Sequence, residues 1–215
     1  MDLSSPMSSL IPSIDAVALE VLASTQSALG ASRIHRLGRR GSRQGIANAL
    51  DRLVEHGLVA AEPTNHGAMY RLNRDHLLAP AVLLAADARQ TLIQRLAEAC
   101  RRLSPAPTSA SLFGSVARRD STSRSDIDML LIVDDNSLLD LDNWIEQLHD
   151  LSEQVEAWTG NRLEAITHSI GHLDELARAG EPIIKSWRNE AVTFFGTDIR
   201  TILGHEYNES AEQQL

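Results

Sequence analysis

Residues 111–120 read SLFGSVARRD and residues 125–132 read SDIDMLLI, and these two stretches decide the fold of the C-terminal half of the chain. Each contains an apolar run typical of a buried strand, and the first run ends in Gly-Ser before a short helical pattern. Because side chains alternate between the two faces of a strand, Asp126 and Asp128 must point the same way. Two carboxylates on one face repel each other, and the pattern therefore predicts a cation between them.

The residues around this carboxylate pair indicate which cation and which ligand it serves. Hard oxygen ligands suit Mg²⁺, which binds few protein carboxylates and keeps coordination sites for phosphate oxygens. Gly114 lets the backbone approach a phosphate closely. Ser115 offers a hydroxyl, and its amide lies near a helix N-terminus, where anions are favoured. The sequence therefore predicts a site for a metal ion and a phosphorylated ligand.

These motifs resemble the nucleotidyltransferase superfamily of DNA polymerase beta, in particular the minimal nucleotidyltransferases of bacteria and archaea. The family pattern is a hydrophobic residue, Gly-Ser, a spacer and then Asp-x-Asp within an apolar strand, and the resemblance covers residues 105–196. It implies a mixed sheet flanked by helices, Mg²⁺ or Mn²⁺ as the metal, and an NTP such as ATP as the substrate. The nucleotide-binding residues that it implies are Gly114, Ser115, Arg118 and Ser125.

The family also uses a third carboxylate on a later strand, and residues 161–166, NRLEAI, occupy that place. Glu164 is the only acid in this stretch. The resemblance implies that Asp126, Asp128 and Glu164 are both the catalytic residues and the metal ligands. Because the family usually has Asp at the third position, Glu164 has two interpretations: a third ligand or base, and a surface acid.

Hydrophobic periodicity predicts an α+β protein with two folded parts. In the first part we expect a loose arm over 1–12, helices over 14–22, 31–37 and 42–56, and strands over 58–62 and 68–72. One long helix is expected over 81–103, ended by the SPAP sequence at 104–107. In the second part we expect strands over 109–113, 126–133, 162–167 and 192–195, and helices over 114–119, 141–158, 171–179 and from 182 through Trp187. The predicted domains are 1–80, a connecting helix 81–104, 105–200 and a polar C-terminal tail 201–215.

Three helices followed by a two-stranded hairpin, over residues 14–73, resemble the winged helix-turn-helix domain of bacterial regulators. In such folds the third helix enters the major groove, so the resemblance implies DNA binding. Arg and Gln can contact guanine and adenine edges, while other arginines hold phosphates. The implied DNA-binding residues are Arg36, Arg39, Arg40, Ser42, Arg43, Gln44, Asn48 and Arg71, with a wing tip at Asn65-His66-Gly67. The alternative is a winged helix used for protein contacts or dimerisation. Separately, helix 81–103 is a candidate interface for a two-fold homodimer.

Charge is distributed unevenly along the chain. The net charge is −9, but residues 1–80 hold eight Arg against seven acids, and the remainder holds 12 basic and 22 acidic groups. This asymmetry indicates two domains with different partners. No apolar run approaches the roughly 20 residues that span a bilayer, and the first residues lack the positive charge of a signal peptide, so we expect a cytoplasmic protein with no membrane partner. The single Cys100 is expected to be a buried structural thiol.

The leading hypothesis is therefore a nucleotidyltransferase coupled to a DNA-binding winged helix. It would move a nucleoside monophosphate from an NTP to a hydroxyl of a protein, an RNA or a small molecule. The alternative is a transcription regulator whose nucleotidyltransferase domain senses nucleotide without transferring it. By resemblance to minimal nucleotidyltransferases that are paired with toxins, an antitoxin role is a third hypothesis.

Overall fold

A computed structural model describes residues 1–65, 67–134 and 141–204, and the chain divides into two compact units. The N-terminal unit is Asp2–Arg89, and the C-terminal unit is Gln90–Leu215 together with Met1. The predictions for His66 and for the polar tail from residue 205 onward lie outside the described residues.

The N-terminal unit has five helices and a small antiparallel sheet among its described residues. The helices are α1 (Pro6–Leu10), α2 (Ile14–Ala23), α3 (Ala31–Gly38), α4 (Arg43–Glu55) and α5 (Ala79–Ala86). The strands are β1 (Leu29–Gly30), β2 (Val59–Thr64) and β3 (Gly67–Leu72), in the order β1-β3-β2. The three predicted helices and the hairpin are thus confirmed, with bounds that differ by a few residues.

The core of this unit forms where α2, α3 and α4 meet. Leu22, Ile34, Ile46 and Leu50 are completely buried there, one or two from each helix. Gly38 brings the turn between α3 and α4 against α2, because any Cβ at this position would overlap a methyl group of Val17. This close contact leaves no room for a side chain at residue 38.

The expectation of a loose arm over residues 1–12 is wrong. This segment contains α1, and Leu3 and Met7 are buried. The Asp2 carboxylate accepts hydrogen bonds from the backbone amides of Ser4 and Ser5. The many Ser and Pro residues suggest a flexible segment, but two apolar side chains and local capping are enough to fold it.

The single helix predicted over 81–103 is also wrong, because Asp87 separates α5 from α6 (Ala88–Arg102). The boundary between the units lies between Arg89 and Gln90, earlier than the SPAP sequence that we predicted to mark it. From Gln90 onward α6 packs within the C-terminal unit. The Arg95 guanidinium lies 5.3 Å from the ring centroid of Trp158, and that of Arg101 lies 5.9 Å from the ring of Phe195.

The C-terminal unit is built on a four-stranded mixed sheet in the order β6-β5-β4-β7. Its strands are β4 (Ser109–Phe113), β5 (Ile127–Val133), β6 (Leu163–Ser169) and β7 (Val192–Gly196). β5 and β6 run parallel, whereas β4 is antiparallel to both β5 and β7. The remaining helices are α7 (Gly114–Arg118), α8 (Leu141–Thr159), α9 (Ile170–Ala179), α10 (Pro182–Glu190) and α11 (Ile199–Gly204). The predicted mixed sheet flanked by helices is confirmed.

The two faces of this sheet are covered by different helices. On one face, Leu130 and Ile132 of β5 pack with Trp187 of α10 and with side chains of α9 and α11. On the other face, the Trp144 indole of α8 donates a 3.1 Å hydrogen bond to the Thr167 hydroxyl of β6. None of the helices in the described ranges is long and apolar enough to cross a membrane.

Candidate active site

Asp126 and Asp128 lie at the start of β5, on the strand between β4 and β6. Asp126 immediately precedes β5, and Asp128 is its second residue. Asp128 is paired with Phe113 of β4 on one side and with Glu164 of β6 on the other. Paired residues on neighbouring strands point to the same face, so the sheet register brings these carboxylates to one edge. We call Asp126, Asp128 and Glu164 the carboxylate edge.

Gly114 lies directly against the Asp128 side chain. Its φ angle of +63° is in the left-handed region, where side chains are disfavoured. A Cβ built on Gly114 would lie 3.0 Å from Cγ of Asp128 and would overlap one of its carboxylate oxygens. Two independent constraints, backbone conformation and space, therefore require glycine here. The bare backbone of residue 114 forms one wall around the Asp128 carboxylate.

The charges around Asp128 are predominantly negative. Burial raises the pKa of Asp128, and the neighbouring carboxylates of Asp126 and Glu164 raise it further. Arg118 opposes this by lowering the pKa of Asp128. The half-buried Asp128 thus lies in a group of carboxylates whose charge one guanidinium only partly offsets. Two hard oxygen donors beside an excess of negative charge match the preferences of Mg²⁺ or Mn²⁺.

Glu164 is less closely associated with the two aspartates. Its side chain is exposed and lies 3.7 Å from the Arg162 guanidinium. Within the described ranges, no group of three or more His, Cys, Asp or Glu side chains is close enough to hold a metal ion. The structure therefore places Asp126 and Asp128 two residues apart at the start of β5, where their carboxylate oxygens could hold a metal ion, and places Glu164 at the same edge without a closed three-carboxylate group.

Arg118, predicted to bind nucleotide, is held by two acids. Its guanidinium lies 2.8 Å from Glu190 at the end of α10 and 3.2 Å from Asp120. These contacts raise the pKa of Arg118 through the hydrogen bonds to Glu190 and Asp120. The next residue, Arg119, ends α7 in the left-handed conformation.

Ser115 and Ser125 occupy different surroundings. Ser115 is partly exposed at the first turn of α7, and its carbonyl accepts a hydrogen bond from the amide of Asp120. The Ser125 hydroxyl accepts from the backbone amide of Thr122 at 2.9 Å, which shapes the loop before Asp126. The Ser125 hydroxyl is thus engaged in a hydrogen bond with the protein backbone.

Asn161 is a positioning residue that sequence reasoning missed. It is almost fully buried, and its side-chain amide donates a 2.9 Å hydrogen bond to the carbonyl of Ser125. The backbone amide of Ile127 donates to the carbonyl of Arg162 nearby. These bonds hold the loop before Asp126 to the start of β6. The signal available in the sequence was an Asn directly before an apolar strand, which is too common to assign.

In the N-terminal unit, the predicted DNA-binding residues separate into two groups. Arg36, Arg39, Ser42, Arg43, Gln44 and Asn48 are exposed at the end of α3, in the turn and at the start of α4. Arg40, in contrast, pairs with Asp2 at 2.8 Å, and Arg71 pairs with Glu62 at 3.3 Å. The Ser42 hydroxyl caps α4 by accepting from the Gly45 amide. The Gln44 amide donates to Asn48 at 2.7 Å.

Four arginines in α3, in the turn after it and at the start of α4 form no ion pair with any described residue. They are Arg33, Arg36, Arg39 and Arg43, and we call them the unpaired arginines. Arg33 was absent from the predicted contacts although it belongs to the same basic stretch. Arg40 and Arg71 are paired with acids. The guanidinium groups without an ion pair to a described residue therefore lie mainly around the turn between α3 and α4.

Comparison with known proteins adds a family match to the C-terminal unit. Residues 94–183 match the family model described as Polymerase beta, Nucleotidyltransferase. No curated protein matches the chain. A solved structure titled "Crystal structure of the toxin-antitoxin with AMP-PNP" is similar, with 15% sequence identity over 57% of this chain and 92% of that chain, and a TM-score of 0.37. A TM-score this low does not establish a shared fold.

Proposed function

We propose that the C-terminal unit is a metal-dependent nucleotidyltransferase that moves a nucleoside monophosphate from an NTP to a hydroxyl acceptor. The observation that carries this proposal is the contact between Gly114 and the Asp128 carboxylate, with Asp126 on the same strand edge. This contact brings a bare backbone turn and a pair of carboxylates to one place. The family match over residues 94–183 supports the same reaction class.

The proposed roles follow from the positions of the side chains. Asp126 and Asp128 would hold Mg²⁺ or Mn²⁺, which stabilises negative charge on the phosphates when bound. The backbone of Gly114 and Ser115 would lie against the outer phosphates, and Arg118 would neutralise part of their charge. The acceptor oxygen forms a bond to the α-phosphorus as the bond to pyrophosphate breaks. In this proposal Glu164 accepts the hydroxyl proton or completes the metal ligands.

Incubation with radiolabelled NTP, Mg²⁺ and cell lysate tests the proposal and identifies the acceptor. We expect label to appear on an acceptor with the wild type and to disappear with Asp126→Asn/Asp128→Asn. Asp150→Asn, an exposed acid on α8, is the matched control for loss of negative charge. Equal labelling by the double variant and the wild type would contradict the proposal.

A second candidate function is nucleotide sensing without transfer. It is favoured by the exposed position of Glu164 and its ion pair with Arg162. In that case Asp126 and Asp128 bind a metal and NTP, and the bound state regulates a partner. Metal-dependent NTP binding by the wild type with no labelled acceptor would select this function.

For the N-terminal unit we propose a winged helix that binds DNA. The supporting observation is the position of the four unpaired arginines around α3, the turn and the start of α4. In this proposal α4 enters the major groove through Arg43, Gln44 and Asn48. Asp51 and Glu55 are exposed near the other end of α4, so contact with DNA is expected through its first turns. Fluorescence anisotropy with duplex DNA at several salt concentrations tests this.

A further inference from the structure

Arg118 lies between two sets of carboxylates that belong to different elements. On one side are Asp120, which follows α7, and Glu190, the last residue of α10. Arg118 is also the last residue of α7, and the first residue of that helix, Gly114, lies against the carboxylate of Asp128, whose pKa Arg118 lowers. The guanidinium is therefore near the carboxylate edge while its hydrogen bonds go to acids outside it.

A ligand can replace the contacts of Arg118 with Asp120 and Glu190. The side chain of Arg118 is 44% exposed, and those of Asp120 and Glu190 are 58% and 34% exposed. Ion pairs in contact with water are weak, because the high dielectric reduces the Coulomb attraction and because holding two side chains in one geometry costs entropy. A triphosphate carries more negative charge than either carboxylate and offers a guanidinium several oxygens in bidentate geometry.

Glu190 lies close to side chains of the packed core of the C-terminal unit. Three residues earlier on α10, the Trp187 ring packs edge-on against Phe113, with ring centroids 6.0 Å apart. Phe113 immediately precedes Gly114, so α10 is anchored to the same turn that faces Asp128. Glu190 is therefore held at a fixed position beside Arg118 and does not depend on a flexible loop for its placement.

We propose that Glu190, assisted by Asp120, is a competing counter-ion that occupies Arg118 until a triphosphate displaces it. Binding replaces the carboxylate–guanidinium contact with a phosphate–guanidinium contact, with no covalent change. Glu190 thereby weakens nucleotide binding and disfavours ligands with too few phosphates to compete for Arg118. This inference rests on the proposed function, because it assigns Arg118 to the nucleotide site.

Calorimetric titration of full-length protein with a non-hydrolysable ATP analogue and Mg²⁺ tests the proposal. We expect Glu190→Gln to bind about two- to five-fold more tightly than the wild type, as expected for removal of one exposed ion pair. Glu146→Gln on α8 removes the same charge from another exposed position and should leave the affinity unchanged. Arg118→Gln should bind more weakly. Adding Glu190→Gln to Arg118→Gln should then have no further effect, since the competed group is gone.

Two results would contradict the proposal that Glu190 competes with a triphosphate for Arg118. One is equal affinity in Glu190→Gln and Glu146→Gln. The other is a gain from Glu190→Gln that persists in the Arg118→Gln background, which would mean general repulsion and not exchange at Arg118.

Inorganic triphosphate as a second probe separates this proposal from the proposed function. Tighter triphosphate binding by Glu190→Gln with no nucleotide binding or transfer would support the competition and overturn nucleotidyl transfer. Nucleotidyl transfer by the wild type, with no effect of Glu190→Gln on the binding of either probe, would support nucleotidyl transfer and overturn the competition. Absence of binding of either probe to any variant would overturn both.

Discussion

At the scale of single residues, Gly114 is constrained both by its left-handed backbone conformation and by the Asp128 carboxylate next to it. Gly114→Ala should place a methyl group in the left-handed region, at a cost of about 1–2 kcal/mol, and also push the Asp128 carboxylate aside. We expect a loss of stability larger than the strain alone and a loss of metal-dependent NTP binding. Urea unfolding and calorimetry measure the two effects.

Gly180→Ala is the matched control for this substitution. Gly180 has a φ of +72°, but open space surrounds the position of its missing Cβ. The control should therefore show the backbone strain without the overlap and should keep NTP binding. Equal effects of the two substitutions on binding would mean that the contact with Asp128 is unimportant.

Substitution of Glu164 tests whether the C-terminal unit transfers a nucleotide or only senses it. Glu164→Gln removes a charge at nearly constant volume, so it should abolish transfer while NTP binding remains. Turnover of labelled NTP with the wild-type acceptor measures the first property and calorimetry the second. Glu156→Gln, an exposed acid on α8, serves as the control. Full turnover in Glu164→Gln would assign this residue to the surface.

At the scale of elements, the arginines of the N-terminal unit differ in whether they form ion pairs: Arg39, in the turn between α3 and α4, has none with a described residue, whereas Arg71 on β3 is paired with Glu62. Arg39→Gln should weaken DNA binding for all sequences and reduce the slope of log affinity against log salt by about 0.9, the value of one phosphate contact. Arg71→Gln should change the slope less, since Glu62 already partly neutralises this charge. Anisotropy over a series of salt concentrations measures both slopes. Equal slopes in the two variants and the wild type would contradict the role of the turn.

The elements that carry the candidate site could be predicted from the sequence, because local patterns define them. β5 is a mostly apolar strand that directly follows Asp126 and has Asp128 as its second residue, and the alternation of faces follows from its period. α1 and the break at Asp87 could not be predicted, because the burial of Met7 and the packing of α5 arise from tertiary contacts.

The ion pairs of the arginines in the two candidate sites could not be predicted from the sequence either. Arg40 finds its partner at Asp2, and Arg118 finds Glu190 from 72 residues away. Only the folded chain brings these side chains together, so the sequence does not show that Arg40 and Arg71 are paired with acids. The same limit left Asn161 unassigned.

At the scale of the whole molecule, the two units can be followed separately by spectroscopy. Trp144, Trp158 and Trp187 all belong to the C-terminal unit. A ligand at 100 times its Kd stabilises the unit that binds it by about 2.7 kcal/mol. A non-hydrolysable ATP analogue with Mg²⁺ should therefore raise the midpoint of the tryptophan-monitored transition. It should leave this midpoint unchanged in Asp126→Asn/Asp128→Asn, and a shift there would contradict the metal-ligand pair.

Cys100 reports on the same unit through its ionisation. Burial raises the pKa of the Cys100 thiol to about 12 from its ordinary value of 9.0. The folded state holds this thiol protonated, so its contribution to stability is complete below pH 9 and is lost as the pH rises toward 12. We expect the free energy of unfolding to fall over this range less steeply in Cys100→Ala than in the wild type. Identical pH profiles would show that the thiol does not contribute.

The strand order of the C-terminal unit has a consequence for the time course of its folding. β4, β5 and β6 follow one another closely along the chain and carry the carboxylate edge and the Gly-Ser turn. β7 must return to the far side of β4, where Thr193 meets Ser111 across 82 residues. Closing so long a loop costs more entropy than pairing neighbours, so β7 is expected to join last. During synthesis, the strands that bear Asp128 and Glu164 can therefore assemble before the strand that completes the sheet has left the ribosome.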